Sequence, residues 1–183
     1  MKTTNNLIST ENQILNPSWV TVFTDAEGCF SVILTQRSNS KWRIMVSFEI
    51  NLDKKDIAIL HSLRDYFGVG SVYSSPNRSL CLYRVNKIDD LINVIIPHFV
   101  DYPLLTQKYS DFVLWSKVVN KEHLTPTGFN TILTYYASIN KGMTSKVSSQ
   151  FPNIVGVEKV ENNALNSTIE LNPFWVTGFT AGK

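Results

Sequence analysis

The sequence predicts an α+β fold in which a four-stranded antiparallel sheet carries helices on one face. Alternating apolar and polar residues in two hairpins indicate strands with one buried face. Apolar residues at helical spacing occupy the segments before, between and after these hairpins. The composition is 43% hydrophobic and 17% charged with a net charge of +2, which excludes a disordered chain and permits, without requiring, a polyanionic partner.

The first half of the predicted fold is a helix followed by a hairpin. The helix begins at Asn16-Pro17, where asparagine suits the N-cap and proline the first helical position, and it ends at Gly28, a usual C-cap residue. Strands follow over 29–36 and 42–51, joined by a polar turn at 37–41. The alternation places on the buried face Phe30, Val32, Leu34, Ile44, Val46, Phe48 and Ile50.

The second half repeats the same order of elements. Helical spacing covers 53–67, a hairpin is formed by 70–74 and 79–86, and a further helix covers 89–100. The predicted order is therefore αββαββα. Additional helices are predicted over 106–120, from Thr125-Pro126 to about 140, and over 145–150.

The domain organisation follows from changes in composition. Residues 1–15 are polar, lack the hydrophobic run of a secretory signal, and are expected to form a flexible tail. Residues 16–150 form the first domain, and 151–171 has the weak periodicity of a linker. Residues 172–183 are interpreted as the start of a second domain.

An internal repeat supports that second domain. The segment Asn16–Thr24 recurs as Asn172–Thr180, with seven of nine positions identical at an offset of 156 residues. This offset is too long for a solenoid unit and indicates duplication of a whole domain.

The helix that carries the repeat also carries a recognisable motif. The run Val20-Thr-Val-Phe-Thr-Asp-Ala-Glu-Gly28 resembles the LAGLIDADG motif in its TDAEG form. The segments Tyr102–Lys108, Asp111-Phe112 and Asn120–Leu124 are similar to the same family. The chain thus resembles the LAGLIDADG homing endonucleases of the organellar, intron-encoded, two-repeat type. The resemblance implies a saddle-shaped sheet and two motif helices that pack around a pseudo-twofold axis.

The resemblance also implies an active site at the end of the motif helix. It implies that a divalent cation, Mg²⁺ first among them, is held by Glu27 with the adjacent Ala26, and that Asp25 is structural. The helix dipole disfavours an anion at a C-terminal end, which favours a functional role for Glu27 over that of an ordinary surface acid. Glu49 resembles a family position near the catalytic waters, with Asn51 as its competitor.

The outward face of the sheet is the predicted DNA-binding surface. Arginine suits guanine, hydroxyls suit several bases, and apolar atoms suit the thymine methyl group, whereas the alternative is a solvated sheet face. The predicted contacts are Ser31, Ile33, Thr35, Arg37, Lys41, Arg43, Met45, Ser47, Glu49, Ser71, Tyr73, Ser75, Arg78, Leu80, Leu82 and Arg84.

Three functions remain open from the sequence. The first is a site-specific endonuclease for double-stranded DNA, located in the mitochondrion as the resemblance implies. The second is a maturase-like protein that binds intron RNA, and the third is an inactive DNA-binding half-domain. Lys183 occupies the repeat position of Glu27, and lysine does not bind Mg²⁺. We therefore expect the chain to be incomplete, inactive alone, and dependent on a second repeat or a complementary chain.

Residues outside the motif give weaker signals. Cys29 and Cys81 lie in strand-like runs without zinc-ligand spacing and are interpreted as buried, reduced thiols. The three histidines, His61, His98 and His123, share no metal-ligand spacing and are expected on the surface or hydrogen-bonded in the core.

Overall fold

The computed structural model describes residues 15–36, 42–120 and 126–161 of the chain. It confirms the predicted α+β class and the αββαββα order. A 3₁₀ turn (Lys54–Asp56) precedes α2, and a π-helical turn (Leu91–Ile95) joins α3 to α4. The elements are α1 (Pro17–Glu27), β1 (Gly28–Gln36), β2 (Trp42–Asp53), α2 (Ile57–Phe67), β3 (Ser71–Ser74), β4 (Leu80–Val85), α3 (Ile88–Asp90), α4 (Ile96–Asp101), α5 (Lys108–Val119), α6 (Pro126–Ser138) and α7 (Ser145–Gln150).

The four strands form one antiparallel sheet in the order β1-β2-β4-β3. Its inner face lies against the helices, as predicted from the alternation. Six of the seven residues assigned to that face are buried, and Ile44 is half-buried. Among the described residues, no helix is long and apolar enough to cross a membrane.

An aromatic cluster fixes β1 against the helical layer. The ring of Phe30 lies 5.6 Å from Phe48, 5.5 Å from Phe99, 5.3 Å from Phe112 and 5.1 Å from Trp115, measured between centroids. Buried aromatic side chains contribute large apolar areas to a core, so this contact set holds the strand firmly. Because β1 begins directly after α1, the same cluster holds the end of the motif helix in place.

Helix α1 begins as predicted but ends for a different reason. The Asn16 side chain accepts hydrogen bonds from the backbone nitrogens of Ser18 at 2.9 Å and Trp19 at 3.4 Å, which confirms the N-cap. Gly28 does not adopt the left-handed conformation of a C-cap glycine, since its φ of −74° and ψ of 156° are extended. A Cβ atom there would lie 2.8 Å from the Thr24 carbonyl oxygen, so close approach of the backbone requires glycine.

The predicted helix over 89–100 is interrupted in the structure. A π-helical turn at Leu91–Ile95 leads into α4, where Pro97 is one of the first residues. Proline has no backbone N–H for the helical ladder and its ring crowds the preceding turn, which accounts for the local change of pitch. The helical conformation predicted for 89–100 is confirmed, and the π-helical turn within it is a detail that apolar spacing does not predict.

The described part of the predicted linker packs on the domain. The Phe151 ring lies 5.3 Å from Trp42, and Ser138 Oγ donates a hydrogen bond to the Val157 carbonyl oxygen at 2.7 Å. Lys159 Nζ forms an ion pair with Asp111 at 2.9 Å. Residues 151–161 contain no helix or strand, and these contacts tie them to the first domain. The remainder of the linker and the 172–183 segment lie outside the described residues.

Candidate active site and nucleic-acid interface

The predicted metal-binding acid lies at the junction between the motif helix and the sheet. Glu27 is the last residue of α1, and β1 begins at the next residue. The Glu27 and Ala26 side chains are both partly exposed. The fold thus brings a carboxylate to the end of α1 where it remains open to solvent and to a partner.

Asp25 has a different environment from Glu27. It is buried, and its carboxylate accepts hydrogen bonds from the Leu105 backbone nitrogen at 2.7 Å and from Thr106 Oγ1 at 2.7 Å. Burial raises the pKa of Asp25, and the hydrogen bonds from Leu105 and Thr106 act in the opposite direction. Asp25 therefore ties α1 to the loop before α5, in agreement with the structural role predicted for it.

Lys108 was not singled out as a site residue from the sequence, and the structure brings it to the end of α1. Its Nζ donates hydrogen bonds to the carbonyl oxygens of Thr24 and Gly28. Burial lowers the pKa of Lys108, whereas the nearby Asp25, Cys29 and Glu27 act to raise it. One signal was present in the sequence: Lys108 lies in the first turn of the helix predicted over 106–120, where the helix dipole disfavours a cation.

The face of the sheet opposite the helices carries most of the predicted DNA contacts. Thr35, Arg43 and Ser71 are exposed there, and Arg78 is exposed in the turn between β3 and β4. Exposed hydrophobic side chains lie among them, and such a patch on a monomer usually has a partner. These are Ile33 (42% exposed), Met45 (37%), Tyr73 (50%) and Leu80 (55%). The predicted contacts Arg37 and Lys41 lie outside the described residues.

A few residues assigned to this face are less accessible than the alternation predicts. Ser47 is only 6% exposed, because its hydroxyl donates a hydrogen bond to Glu49 Oε1 at 2.6 Å instead of facing solvent freely. Ser47 therefore offers little surface to a ligand, and its role as a DNA contact stays a prediction. The half-buried members are Ser31, Glu49, Ser75, Leu82 and Arg84.

Glu49 and Arg84 form an ion pair on this face. Arg84 Nε donates to Glu49 Oε1 at 2.9 Å, and the two residues lie directly opposite each other on β4 and β2. The Glu49 side chain is 14% exposed and the Arg84 side chain 38%. One row across the sheet joins Cys29, Glu49, Arg84 and Ser71. The sequence did not predict this pair.

The histidines and cysteines in the described part of the chain form no second site, and His123 lies outside it. His98 is buried, with Nε2 3.2 Å from Thr21 Oγ1 and Nδ1 3.2 Å from the Tyr66 hydroxyl, and burial lowers its pKa to about 4. His98 is thus the predicted hydrogen-bonded core histidine. Cys81 is buried as predicted, whereas Cys29 is only half-buried. Within the described ranges, no group of three or more acidic, histidine or cysteine side chains is arranged to hold a metal ion.

Known proteins are similar to this chain in sequence and fold. A family model described as LAGLIDADG endonuclease matches residues 21–119. Two Neurospora crassa proteins named probable intron-encoded endonucleases 2 and 3 are 38% and 37% identical, over 92% and 96% of this chain. The matches span 40% and 34% of those relatives' lengths. A Podospora anserina protein described from ND4 intron 1 is 42% identical over 61% of the chain.

Solved structures give the same relationship. The LAGLIDADG homing endonuclease I-SmaMI, bound to cleaved DNA, is 38% identical with a TM-score of 0.84, covering 92% of this chain and 57% of that one. I-CpaMI, a LAGLIDADG meganuclease bound to uncleaved DNA, is 32% identical with a TM-score of 0.83, covering 92% and 58%. I-SmaMI has also been solved on uncleaved DNA in the presence of calcium ions. With its motif helix, saddle sheet and family match together, this chain belongs to the LAGLIDADG endonuclease family.

Proposed function

We propose that this chain is the DNA-binding first repeat of a site-specific, metal-dependent endonuclease for double-stranded DNA. One observation carries the proposal: the acidic end of α1 adjoins a sheet face that mixes exposed arginine, hydroxyl and apolar side chains. The named relatives are endonucleases, so the comparisons do not favour the maturase-like alternative. The relatives share this repeat, and we propose the endonuclease activity for the whole protein that contains it.

The sheet face suits the major groove. A β-ribbon fits that groove, whose base edges offer acceptors to arginine and a thymine methyl group to apolar side chains. Arg43 and Arg84 supply the first kind of contact, and Met45 and Leu80 the second. Ser71 and Thr35 add hydroxyls that donate or accept.

The residues at the end of α1 fit a hard divalent cation. Mg²⁺ is commonly bound by one or two carboxylates, with retained waters and substrate phosphates completing its shell. Glu27 provides the carboxylate and Ala26 an adjacent backbone oxygen, and DNA would provide phosphate oxygens. A bound cation would activate water and stabilise negative charge that develops on the phosphate.

Residues around the C-terminal end of α1 help that end of the helix to accommodate the Glu27 carboxylate. Glu27 stands where the α1 dipole is unfavourable to a carboxylate. The Lys108 ammonium offsets that field, since it binds the carbonyl oxygens of Thr24 and Gly28. Asp25 holds the helix end against the loop at 105–106. Together these contacts set where the Glu27 carboxylate meets the DNA backbone.

Cutting both strands requires a second acid. We propose that a second repeat or a complementary chain supplies it, because one Glu27 serves one scissile phosphate. We also infer that the protein is encoded in a mitochondrial intron and acts in the mitochondrion. The relative from an ND4 intron supports that inference.

A selection experiment tests the proposed function. The chain is incubated with calcium and a randomised library of double-stranded DNA, and in parallel with RNA transcripts of the same library. We expect enrichment of one DNA half-site, with binding that weakens steeply as salt rises. Preferential capture of RNA, or no enriched DNA sequence, would contradict it.

A further inference from the structure

We propose that Glu49 is a positioning residue that presents Arg84 to a guanine near the cleavage centre, so that this ion pair determines specificity for one base. The proposal rests on the proposed DNA-binding function. It assigns Glu49 to recognition, whereas the family resemblance suggested a place near the catalytic waters.

The geometry of the pair makes Glu49 an anchor. Its Oε1 accepts hydrogen bonds from Arg84 Nε at 2.9 Å and from Ser47 Oγ at 2.6 Å. The Glu49 side chain is 14% exposed, so little of it is open to a ligand. A carboxylate held by two donors on a packed strand has few alternative positions.

The anchored arginine keeps its recognition groups free. A guanidinium carries five N–H donors, and the contact with Glu49 uses the one on Nε. The structure shows no other hydrogen bond from the Arg84 guanidinium to a described residue. The two terminal amino groups therefore remain available for the bidentate contact that guanine O6 and N7 offer in the major groove.

The Glu49–Arg84 ion pair contributes little to the stability of the fold. Ion pairs between partly exposed side chains contribute little to the free energy of unfolding. Their larger effect is on conformational freedom, because an arginine already held in place loses less rotamer entropy when it binds. Such preorganisation favours a contact that depends on geometry, and base discrimination is such a contact.

The location of the pair places its target base near the cleavage centre. Cys29 lies directly opposite Glu49 and only two residues beyond Glu27. Neighbouring strands are about 4.8 Å apart, so the backbone of Arg84 lies about 10 Å from that of Cys29. Arg43 lies six residues along β2 from Glu49, about 20 Å away at strand geometry.

Arg43 serves as a natural control for Arg84. Both arginines lie on the outward face of the sheet, but Arg43 is exposed and the structure shows no partner for it among the described residues. An unanchored arginine can shift between a phosphate and several bases. We therefore expect Arg43 to contribute mainly affinity and Arg84 mainly base preference.

The test measures binding of the chain to a DNA library in calcium. The variants are Glu49→Gln, Glu49→Val, Arg84→Lys, Arg43→Lys and the double variant Glu49→Val with Arg84→Lys. We expect the unchanged chain to prefer guanine at one position near the cleavage centre by at least about fivefold, as a bidentate contact allows. Glu49→Val should abolish that preference, Arg84→Lys should weaken it because lysine lacks the planar fork of arginine, and the double variant should lose no more than Glu49→Val alone.

The outcomes separate this proposal from the proposed function. Glu49→Gln keeps an acceptor for Nε and guards against loss of folding, so it should retain part of the guanine preference. A guanine preference unchanged in both Glu49 variants would overturn the positioning role, as would slower cleavage without altered preference in a two-repeat protein. No binding of DNA by the unchanged chain would instead reject the proposed function, and this inference with it.

Discussion

Lys108 lies across the end of α1, where its Nζ is 3.1 Å from the carbonyl oxygen of Thr24. The contact brings the Lys108 ammonium close enough to Glu27 for the two charges to interact electrostatically, and both stand in unfavourable positions. The cation begins α5, and the anionic Glu27 ends α1, each at the end of a helix where the dipole opposes its charge. The negative charge of Glu27 acts to raise the pKa of Lys108, and so reduces the cost of a cation at that helix end.

Removing that cation should destabilise the domain. We expect Lys108→Met to lower the free energy of unfolding by about 1–2 kcal/mol, because carbonyl oxygens at the end of α1 lose a charged donor. Urea denaturation measures the change. Lys146→Met, at an exposed position in α7, is the control and should change stability by less than about 0.5 kcal/mol. Equal effects of the two substitutions would show that the hydrogen bonds from Lys108 to the end of α1 contribute nothing to the free energy of unfolding.

Asp25 should prove structural and not catalytic. In Asp25→Asn, one carboxylate oxygen becomes an NH₂ group that faces a backbone N–H or the Thr106 hydroxyl group. An unsatisfied buried donor costs about 1–3 kcal/mol, so the variant should be destabilised by that amount. Thermal or urea unfolding checks this value, and unchanged stability would refute the role.

His98 should make stability depend on pH. Its folded-state pKa of about 4 lies below the ordinary value of 6.5, so the unfolded chain binds the extra proton first as pH falls. Stability from this group is therefore present above pH 6.5 and is lost between pH 6.5 and 4, by about 3 kcal/mol.

The control for this prediction is the variant His98→Gln, which can still bond to Thr21 and Tyr66. The difference in unfolding free energy between the chain and the variant should shrink by that amount from pH 7 to pH 4. A difference that stays constant across this range would exclude His98 as the source.

Binding of DNA should depend strongly on salt. Each phosphate neutralised by a lysine or arginine releases counterions, so a plot of log K against log salt should have a negative slope of about 0.9 per contact. Arg78→Gln, at an exposed position in the turn between β3 and β4, should reduce that slope by about one if Arg78 contacts a phosphate. Titrations at several salt concentrations measure it. An unchanged slope would place Arg78 away from the backbone.

Much of the fold could be predicted because local signals agree with the final packing. Asn16 and Pro17 predict where α1 begins, and the structure confirms both roles. Alternation correctly predicts which face of the sheet Phe30, Phe48 and Ile50 occupy, because one strand residue in two points inward.

What the sequence could not predict depends on pairs of residues that are distant along the chain. Lys108 contacts Gly28 across 80 positions, and Arg84 meets Glu49 across 35. Alternation gives the direction of Ser47 but not its hydrogen bond to Glu49, which removes it from solvent. Such contacts follow from strand register and helix placement, which single-sequence patterns leave open.

Glu27 is proposed to hold the metal ion that promotes cleavage of one DNA strand. Its most direct test is Glu27→Gln in a two-repeat protein that contains this chain, assayed on a supercoiled plasmid carrying the selected target. Glu158→Gln, which changes an exposed glutamate in the 151–161 segment, is the matched control and should yield linear plasmid as the parent does. We predict that Glu27→Gln binds the target in calcium with the parent's affinity but gives only nicked circles with magnesium, because one strand is no longer cut. If the Glu27→Gln variant formed linear plasmid at the parent rate, Glu27 would not be the metal-binding acid.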